Sequence, residues 1–281
     1  MKTPTGSLIK NSLLRALFVA VLVFQPFNLV HAQKTKNAQA NNKEINDVLE
    51  TLSVVAWLKD EAGYEYFNIQ SQMGVRLVAV KFAQKDFFLS LQQKSDKDGN
   101  FIDDYAQNSD ALIAINGGFF AKQKNGDLYS VGLLKDKGKT FSRAWRKKGG
   151  YLVLGDKGTQ ILATSTKLPK DAINVLQSKP VIIEQGGKWA LMSNNKISKN
   201  RSLVCLLKDG QMILMSVSGT GLSLYEAGWL LRTKEKGGWF GCDSAIALDG
   251  GGSSQLFVRE QPSLKVYGST KIPNALIVKA K

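Results

Sequence analysis

Apolar and polar residues alternate in short stretches through most of the chain. Residues 74–82 (GVRLVAVKF) show the two-residue spacing that is typical of a strand. Two pairs of apolar stretches, 151–154 with 159–163 and 203–207 with 212–217, each flank a four-residue turn that contains Asp and Gly. Such turns join antiparallel strands, so the pattern predicts two β-hairpins.

Two segments carry helical signals instead. Residues 44–58 follow a polar stretch and are expected to form a helix. Ser223 and Glu226 have the spacing of a capping box just before an apolar stretch, which predicts a helix over 224–234. Short buried strands are expected at 111–115, 245–248 and 275–278. Strands outnumber helices, so the expected fold class is α+β, with a mixed, largely antiparallel sheet and a few packed helices.

The N-terminus has the pattern of a secretory signal peptide. Three basic residues precede the apolar stretch 16–24 (ALFVAVLVF), and small residues precede the expected cleavage point after Ala32. Nine apolar residues are too few to span a bilayer, which needs about 20. We therefore expect a periplasmic or secreted protein with no stable membrane insertion after cleavage, and an uncleaved membrane anchor is the alternative.

The rest of the chain is long enough for a substantial core. Of the 281 residues, 43% are apolar and 22% are charged, a composition typical of globular proteins. We expect three segments: a signal peptide over 1–32, a flexible N-terminus with a helical lead-in over 33–65, and one folded domain over 66–281.

The charge balance is strongly basic, with 38 Lys and Arg against 23 Asp and Glu. Cleavage after Ala32 would remove three basic residues and leave 35 against 23. This surplus favours anionic partners such as phosphodiesters, acidic polysaccharides or a membrane surface, although lysines dispersed over a soluble surface give the same balance. The chain has no zinc-finger, homeodomain or RNA-recognition signature, so we expect no nucleic-acid partner.

Histidine and cysteine are scarce, and this restricts the possible chemistry. The single histidine, His31, lies in the expected signal peptide, so a mature chain has none. A Ser-His-Asp apparatus and His-containing zinc sites are thereby excluded. Two cysteines, Cys205 and Cys242, are too few for an all-thiolate zinc site, and the sequence leaves open whether they form a disulfide. No cofactor is predicted, and a divalent cation held by oxygen ligands stays possible.

The most unusual segment is Leu248-Asp249-Gly250-Gly251-Gly252-Ser253-Ser254. An apolar strand leads into a carboxylate, three glycines and two hydroxyls. Consecutive glycines allow backbone N–H groups to converge on an anion. The alternative interpretation is a tight turn in which Asp249 accepts hydrogen bonds from its own backbone.

Three other features could contribute to the same site. Asn116 follows an apolar strand and precedes Gly117, Gly118 and two phenylalanines, which could equally be core residues. Arg201 begins a strand and could bind a phosphate bidentately, although such a residue is often only a surface charge. Glu226 could act in catalysis, or its capping-box position could be its whole function.

Taken together and in this order, the motifs resemble those of the phosphodiester glycosidase family. The resemblance covers roughly residues 66–281 and implies that family's fold and a cleft formed by its motif residues. It implies catalytic roles for Asp249, Glu226 and Asn116. It implies substrate-binding roles for Arg201, Gly117, Gly118, Gly250, Gly251, Ser253, Ser254 and Asn274.

The residue types agree with the chemistry that this resemblance implies, which is hydrolysis of an α-linked sugar-1-phosphodiester. The phosphate leaving group departs as a stable anion, so catalysis needs no histidine to protonate it. Arg201 and the glycine run suit the phosphate, and Asp249 suits the sugar. The alternative is a non-catalytic binder of anionic glycans on the same fold. A metal-dependent phosphodiesterase is disfavoured because the acids are not clustered at ligand spacing.

Overall fold

The computed structural model describes residues 42–94, 98–145, 149–155 and 158–281. The expected signal peptide, its cleavage point after Ala32 and His31 lie outside these residues, and so do residues 33–41 of the expected flexible segment. The described ranges all belong to one unit, Asn42–Lys281.

The described residues form three α-helices and nineteen strands. The helices are α1 (Lys43–Ser53), α2 (Ile102–Ser109) and α3 (Leu224–Leu230). The strands are β1 (Leu58–Lys59), β2 (Glu65–Gln70), β3 (Val75–Ala83), β4 (Phe87–Gln93), β5 (Ile113–Asn116), β6 (Phe120–Lys122), β7 (Leu128–Ser130), β8 (Leu134–Asp136), β9 (Lys139–Ser142), β10 (Gly150–Gly155), β11 (Gly158–Ala163), β12 (Asn174–Ser178), β13 (Val181–Glu184), β14 (Lys188–Trp189), β15 (Lys199–Leu206), β16 (Gln211–Leu222), β17 (Ser244–Ala247), β18 (Leu256–Val258) and β19 (Asn274–Ala280).

These strands form four sheets. An eight-stranded sheet has the order β1-β2-β3-β16-β15-β17-β13-β14, and a five-stranded sheet has the order β11-β10-β12-β8-β9. A four-stranded sheet has the order β18-β5-β19-β4, and β6 pairs with β7. Within the described ranges every strand pairing is antiparallel, and both expected hairpins, β10–β11 and β15–β16, are present. The α+β class with largely antiparallel sheet is confirmed.

The central strands of the eight-stranded sheet are buried on both faces. Because successive side chains of a strand point to opposite faces, Val78 and Val80 of β3 join one hydrophobic core, whereas Leu77 and Ala79 join the other. The first core lies against the four- and five-stranded sheets, and the second lies under α1 and α3. This explains why β3 is almost continuously apolar.

Both long helix predictions were wrong at their C-terminal ends. The helix expected over 44–58 stops at Ser53, because the chain then enters β1 and pairs with β2. The helix expected over 224–234 stops at Leu230, because the Leu230 carbonyl accepts the amides of Trp239 and Phe240, both at 2.9 Å. These returning amides turn the chain away from the helix axis.

A disulfide joins Cys205 of β15 to Cys242. The sequence had left this pairing open. Cys242 precedes β17, so the bond links the two neighbouring strands whose other ends reach Arg201 and Asp249. The disulfide therefore links β15 and β17 covalently at the ends opposite to Arg201 and Asp249.

Candidate active site

Asp249 and Arg201 lie opposite each other at the end of the eight-stranded sheet. Strands β15 and β17 are antiparallel neighbours, and their pairing continues for one step because the Leu248 amide donates to the Ser202 carbonyl at 2.8 Å. Asp249 and Arg201 are the next residues of the two segments, and a Cβ atom on Gly250 would lie 3.7 Å from Arg201 Nη1. The sequence motifs that contain these two residues therefore meet in space.

Asn116 ties the Asp249 segment to the four-stranded sheet. The Asp249 amide donates to the Gly117 carbonyl at 3.1 Å, and Asn116 Nδ2 donates to the Asp249 carbonyl at 2.9 Å. Asn116 Oδ1 accepts from Ser202 Oγ at 2.6 Å and from the Gln255 amide at 3.1 Å. With both ends of its amide bonded and only 1% of its surface exposed, Asn116 positions the Asp249 backbone from within the protein.

Asn274 and the glycine pair form a second buried network under the site. The Gly118 amide donates to Asn274 Oδ1 at 2.7 Å, and Asn274 Nδ2 donates to Ser130 Oγ at 2.8 Å. A Cβ atom on Gly117 would collide with Asn274 Oδ1, which is why glycine is required there. All three residues of this network, Asn274, Gly117 and Gly118, are buried, so they position the neighbouring Asp249 segment from inside the protein.

The glycine run is a tight turn with one face open. Asp249 Oδ1 accepts from the Gly250 amide at 2.9 Å, and Gly251 has a left-handed backbone, with φ of +64°. A Cβ atom on Gly251 would meet no atom within 4 Å, so this position faces open space. Ser253 is buried with its hydroxyl on Asp249. Ser254 is fully buried, and within the described residues its Oγ has no hydrogen-bond partner.

The local environment raises the pKa of Asp249. Burial of the carboxyl is the main cause, and the hydrogen bonds from Ser253 and Gly250 act in the opposite direction without cancelling it. A carboxyl with a raised pKa can hold a proton at a higher pH than a free aspartate. Such groups serve as acids, bases or nucleophiles.

Arg201 supplies a fixed positive charge next to the glycine run; burial lowers its pKa, and the charge of Glu226 acts in the opposite direction. Its Nε donates to the Leu222 carbonyl at 2.9 Å and its Nη2 donates to the Ile197 carbonyl at 2.7 Å. Its Nη1 lies 3.7 Å from the position that a Cβ atom on Gly250 would take. Two bonds thus hold the guanidinium, and its third nitrogen is next to the glycine run, where a phosphate oxygen could be bound.

Glu226 completes the capping box of α3. Its Oε2 accepts from the Ser223 amide at 2.8 Å, and its Oε1 accepts from Asn42 Nδ2 at 2.8 Å and from Asn194 Nδ2 at 3.1 Å. Burial alone would raise the pKa of Glu226, but these hydrogen bonds outweigh it and the pKa is lowered. Glu226 therefore stays ionised near neutral pH and has a complete structural function; its participation in catalysis stays a prediction.

Sequence reasoning missed the residues that hold the site residues in place. Ser202 had no distinctive signal, because the first four residues of β15, KNRS, are all polar. Gln255 and Ser130 had none, since polar residues near turns are ordinary. Asn42 and Asn194 reach Glu226 from distant segments, which no local pattern can reveal.

Two further observations concern metals and membranes. Among the described residues no group of three or more His, Cys, Asp or Glu side chains is placed to hold a metal ion. None of the described helices has the length and apolar character needed to cross a membrane.

The model of the family described as phosphodiester glycosidase matches residues 109–279, which is more than half of the chain. The chain belongs to the phosphodiester glycosidase family. The matched region contains both buried amide networks, Arg201 and the glycine run. No curated protein sequence matches the chain.

Two solved structures have a fold similar to that of this chain. One is the zebrafish N-acetylglucosamine-1-phosphodiester alpha-N-acetylglucosaminidase catalytic domain auto-inhibited by its pro-peptide, with 15% identity, a TM-score of 0.58, and coverage of 78% of this chain and 83% of that one. The other is a hypothetical protein from Synechocystis, with 13% identity, a TM-score of 0.57 and coverage of 78% of this chain. The chain spans 62% of the Synechocystis protein's length. The resemblance to the family that the motifs indicated is confirmed.

Proposed function

We propose that this protein is an exported glycosidase that hydrolyses an α-linked sugar-1-phosphodiester. The observation that carries the proposal is the placement of Asp249, a carboxyl of raised pKa, opposite Arg201 and next to an open glycine turn. Membership of the phosphodiester glycosidase family agrees with this chemistry.

In the proposed reaction the bond between C1 of the sugar and the phosphate oxygen breaks, and its electron pair leaves with the phosphate. Arg201 stabilises the leaving anion. Ionised Asp249 either activates a water molecule, taking one of its protons as the water oxygen bonds to C1, or attacks C1 itself before water releases the sugar. The leaving group is a phosphate monoester dianion, whose conjugate acid has a pKa of about 6, so its departure does not depend on a general acid. This fits a site in which Glu226 is ionised.

One observation favours a second candidate, a non-catalytic binder of anionic glycans. Glycosidases commonly use two carboxyl groups, and here one of the two expected carboxylates, Glu226, is fully occupied by the capping box and two asparagine side chains. A binder would retain the cationic cleft and release no sugar.

The two candidates are separated by turnover. Purified protein is incubated with the methyl phosphodiester of N-acetylglucosamine-1-phosphate and with the corresponding diesters of other sugars, and released reducing sugar is quantified. Time-dependent release that Asp249→Asn abolishes supports the glycosidase. Saturable binding of a diester without release, across the whole panel, supports the binder instead.

Export is the other part of the proposal. The signal-peptide pattern and the disulfide between Cys205 and Cys242 support it, since disulfides persist mainly outside the cytoplasm. We expect the intact mass of the exported protein to correspond to a chain that begins at Gln33. A full-length product retained in the membrane would contradict cleavage after Ala32.

A further inference from the structure

A lysine and two aromatic rings form a second feature beside the Asp249 strand. The Nζ atom of Lys179 lies 4.9 Å from the ring centroid of Trp145 and 5.5 Å from that of Phe119. The two rings are 5.7 Å apart and tilted by 53°, so they form a wedge with the ammonium group against both. A cation at such a distance from an aromatic ring is attracted to it, which restricts the lysine to this place.

Two chain connections bring this cluster to the candidate active site. The residues on either side of Lys179 both bond to Ala247. Ser178 Oγ donates to the Ala247 carbonyl at 2.6 Å, and the Ala247 amide donates to the Pro180 carbonyl at 3.0 Å. Ala247 is two residues before Asp249. Phe119 is two residues after Gly117, whose carbonyl accepts the Asp249 amide. Each step of two residues covers at most about 7 Å.

Lys179 and Arg201 therefore approach the Asp249 strand from opposite sides. Strand β15 carries Arg201 on one side of β17, and β13, which Lys179 precedes, lies on the other. Across two strand spacings their backbones are about 10 Å apart at the same end of the sheet, with the Arg201 side chain bonded to Leu222 and Ile197 and the Lys179 side chain against Trp145 and Phe119. Within the described residues no carboxylate is at ion-pair distance from Lys179, which is exposed.

We propose that Lys179 is a second phosphate-binding residue of this site, positioned by Trp145 and Phe119, and that it binds the substrate's phosphate from the side opposite to Arg201. The inference rests on the proposed function in taking a sugar phosphate as the ligand. The aromatic rings position the lysine, because the ammonium group occupies the wedge between them. Trp145 is itself fixed, since the buried Gln177 side chain accepts from its amide at 2.8 Å and donates to its carbonyl at 3.0 Å.

The test measures binding of N-acetylglucosamine-1-phosphate by calorimetry, which does not depend on turnover. Lys179→Met, which keeps the length of the side chain, should weaken binding by about tenfold or more, because a charge-assisted contact is lost. Lys179→Arg should restore most of the affinity. The matched control is Lys139→Met, since Lys139 lies over Phe141 at 5.0 Å in the hairpin beyond the other end of β12, and it should change the affinity less than twofold.

Two further measurements sharpen the result. Trp145→Ala retains the charge and removes part of the wedge, so it should weaken binding by several-fold, and thermal unfolding checks that the variant is folded. Binding of the uncharged methyl glycoside should be the same in the Lys179→Met and wild-type proteins. The proposal is overturned if Lys179→Met binds the sugar phosphate within twofold of wild type, if it loses the methyl glycoside equally, or if the wild-type protein does not bind the sugar phosphate. If binding follows the expectation while no diester is hydrolysed, the proposed reaction fails and the assignment of Lys179 stands.

Discussion

The Asp249 turn and the start of helix α3 each hold a shielded carboxyl group, but the pKa of the two groups is shifted in opposite directions. Asp249 receives hydrogen bonds from its own turn, and burial raises its pKa. Glu226 receives donors from three separate segments, and its pKa is lowered despite burial. The difference reflects the balance of two effects: burial outweighs the two donors at Asp249, and the larger set of donors outweighs burial at Glu226. The less fully bonded group is the one available for chemistry.

The largest effect is expected from Asp249→Asn. The substitution preserves shape and removes the charge, so sugar release should fall by roughly 100- to 10,000-fold while sugar-phosphate binding survives. Released sugar and calorimetric binding are measured on the same preparation. Glu226→Gln serves as the comparison, and turnover that falls more in this variant than in Asp249→Asn would reverse the assignment of the two carboxyl groups.

The next effect concerns stability at α3. Glu226→Gln places an amide among donors from Asn42, Asn194 and Ser223, and at least one buried donor loses its acceptor. We expect the free energy of unfolding to fall by about 2–3 kcal/mol at pH 7. Urea unfolding measures this loss. Glu61 is exposed, so Glu61→Gln should change the free energy of unfolding very little. Equal losses in the two variants would contradict a stabilising function for the hydrogen bonds that Glu226 accepts.

A smaller effect is expected at the open face of the glycine turn. Asn tolerates a left-handed backbone, so Gly251→Asn should fold, but its side chain would occupy the open space next to Asp249. Sugar-phosphate binding should weaken by about tenfold, or about 1.4 kcal/mol. Gly210→Asn is the matched control, because Gly210 also has positive φ and open space, but lies in the β15–β16 hairpin. Unchanged affinity in Gly251→Asn would mean that ligand does not approach this face.

The smallest effect is the opposite pH dependence of the two carboxyl groups. The raised pKa of Asp249 gives stability that is present below its unfolded pKa, near ~3.9, and lost as pH rises through the folded value. The lowered pKa of Glu226 gives stability that is present above its unfolded pKa, near ~4.3, and lost as pH falls through the folded value. Thermal unfolding from pH 3 to 7 should therefore show Asp249→Asn gaining, and Glu226→Gln losing, relative to wild type as pH rises. Parallel curves for the two variants would contradict the comparison.

Local sequence signals predicted much of this architecture. The hairpin turns, the alternation in β3 and the Ser223–Glu226 capping box are all determined by residues close in the chain, and all are found. The motifs around Asn116 and Asp249 also meet, because both follow short buried strands.

What the sequence could not predict are the partners of these motif residues. Asn42 lies 184 positions from Glu226, and Ser202 lies 86 positions from Asn116. Such pairs depend on how the sheets pack against one another, and the hydrophobic periodicity of the sequence carries no information about that packing. The resemblance implied a catalytic role for Asn116 and a substrate-binding role for Asn274; their amide groups are bonded inside the protein, and those roles stay predictions.

The position of β19 has a consequence for when the four-stranded sheet can assemble during synthesis. This strand follows the other described strands in sequence, but it lies in the interior of its sheet, between β5 and β4. Until residues 274–280 have left the ribosome, those two strands lack their shared partner, and Gly118 lacks the acceptor that Asn274 provides. The candidate site can therefore assemble only after residues 274–280 have been synthesised and have paired with β4 and β5. A chain shortened before Asn274 should lack activity even though the glycine run is present.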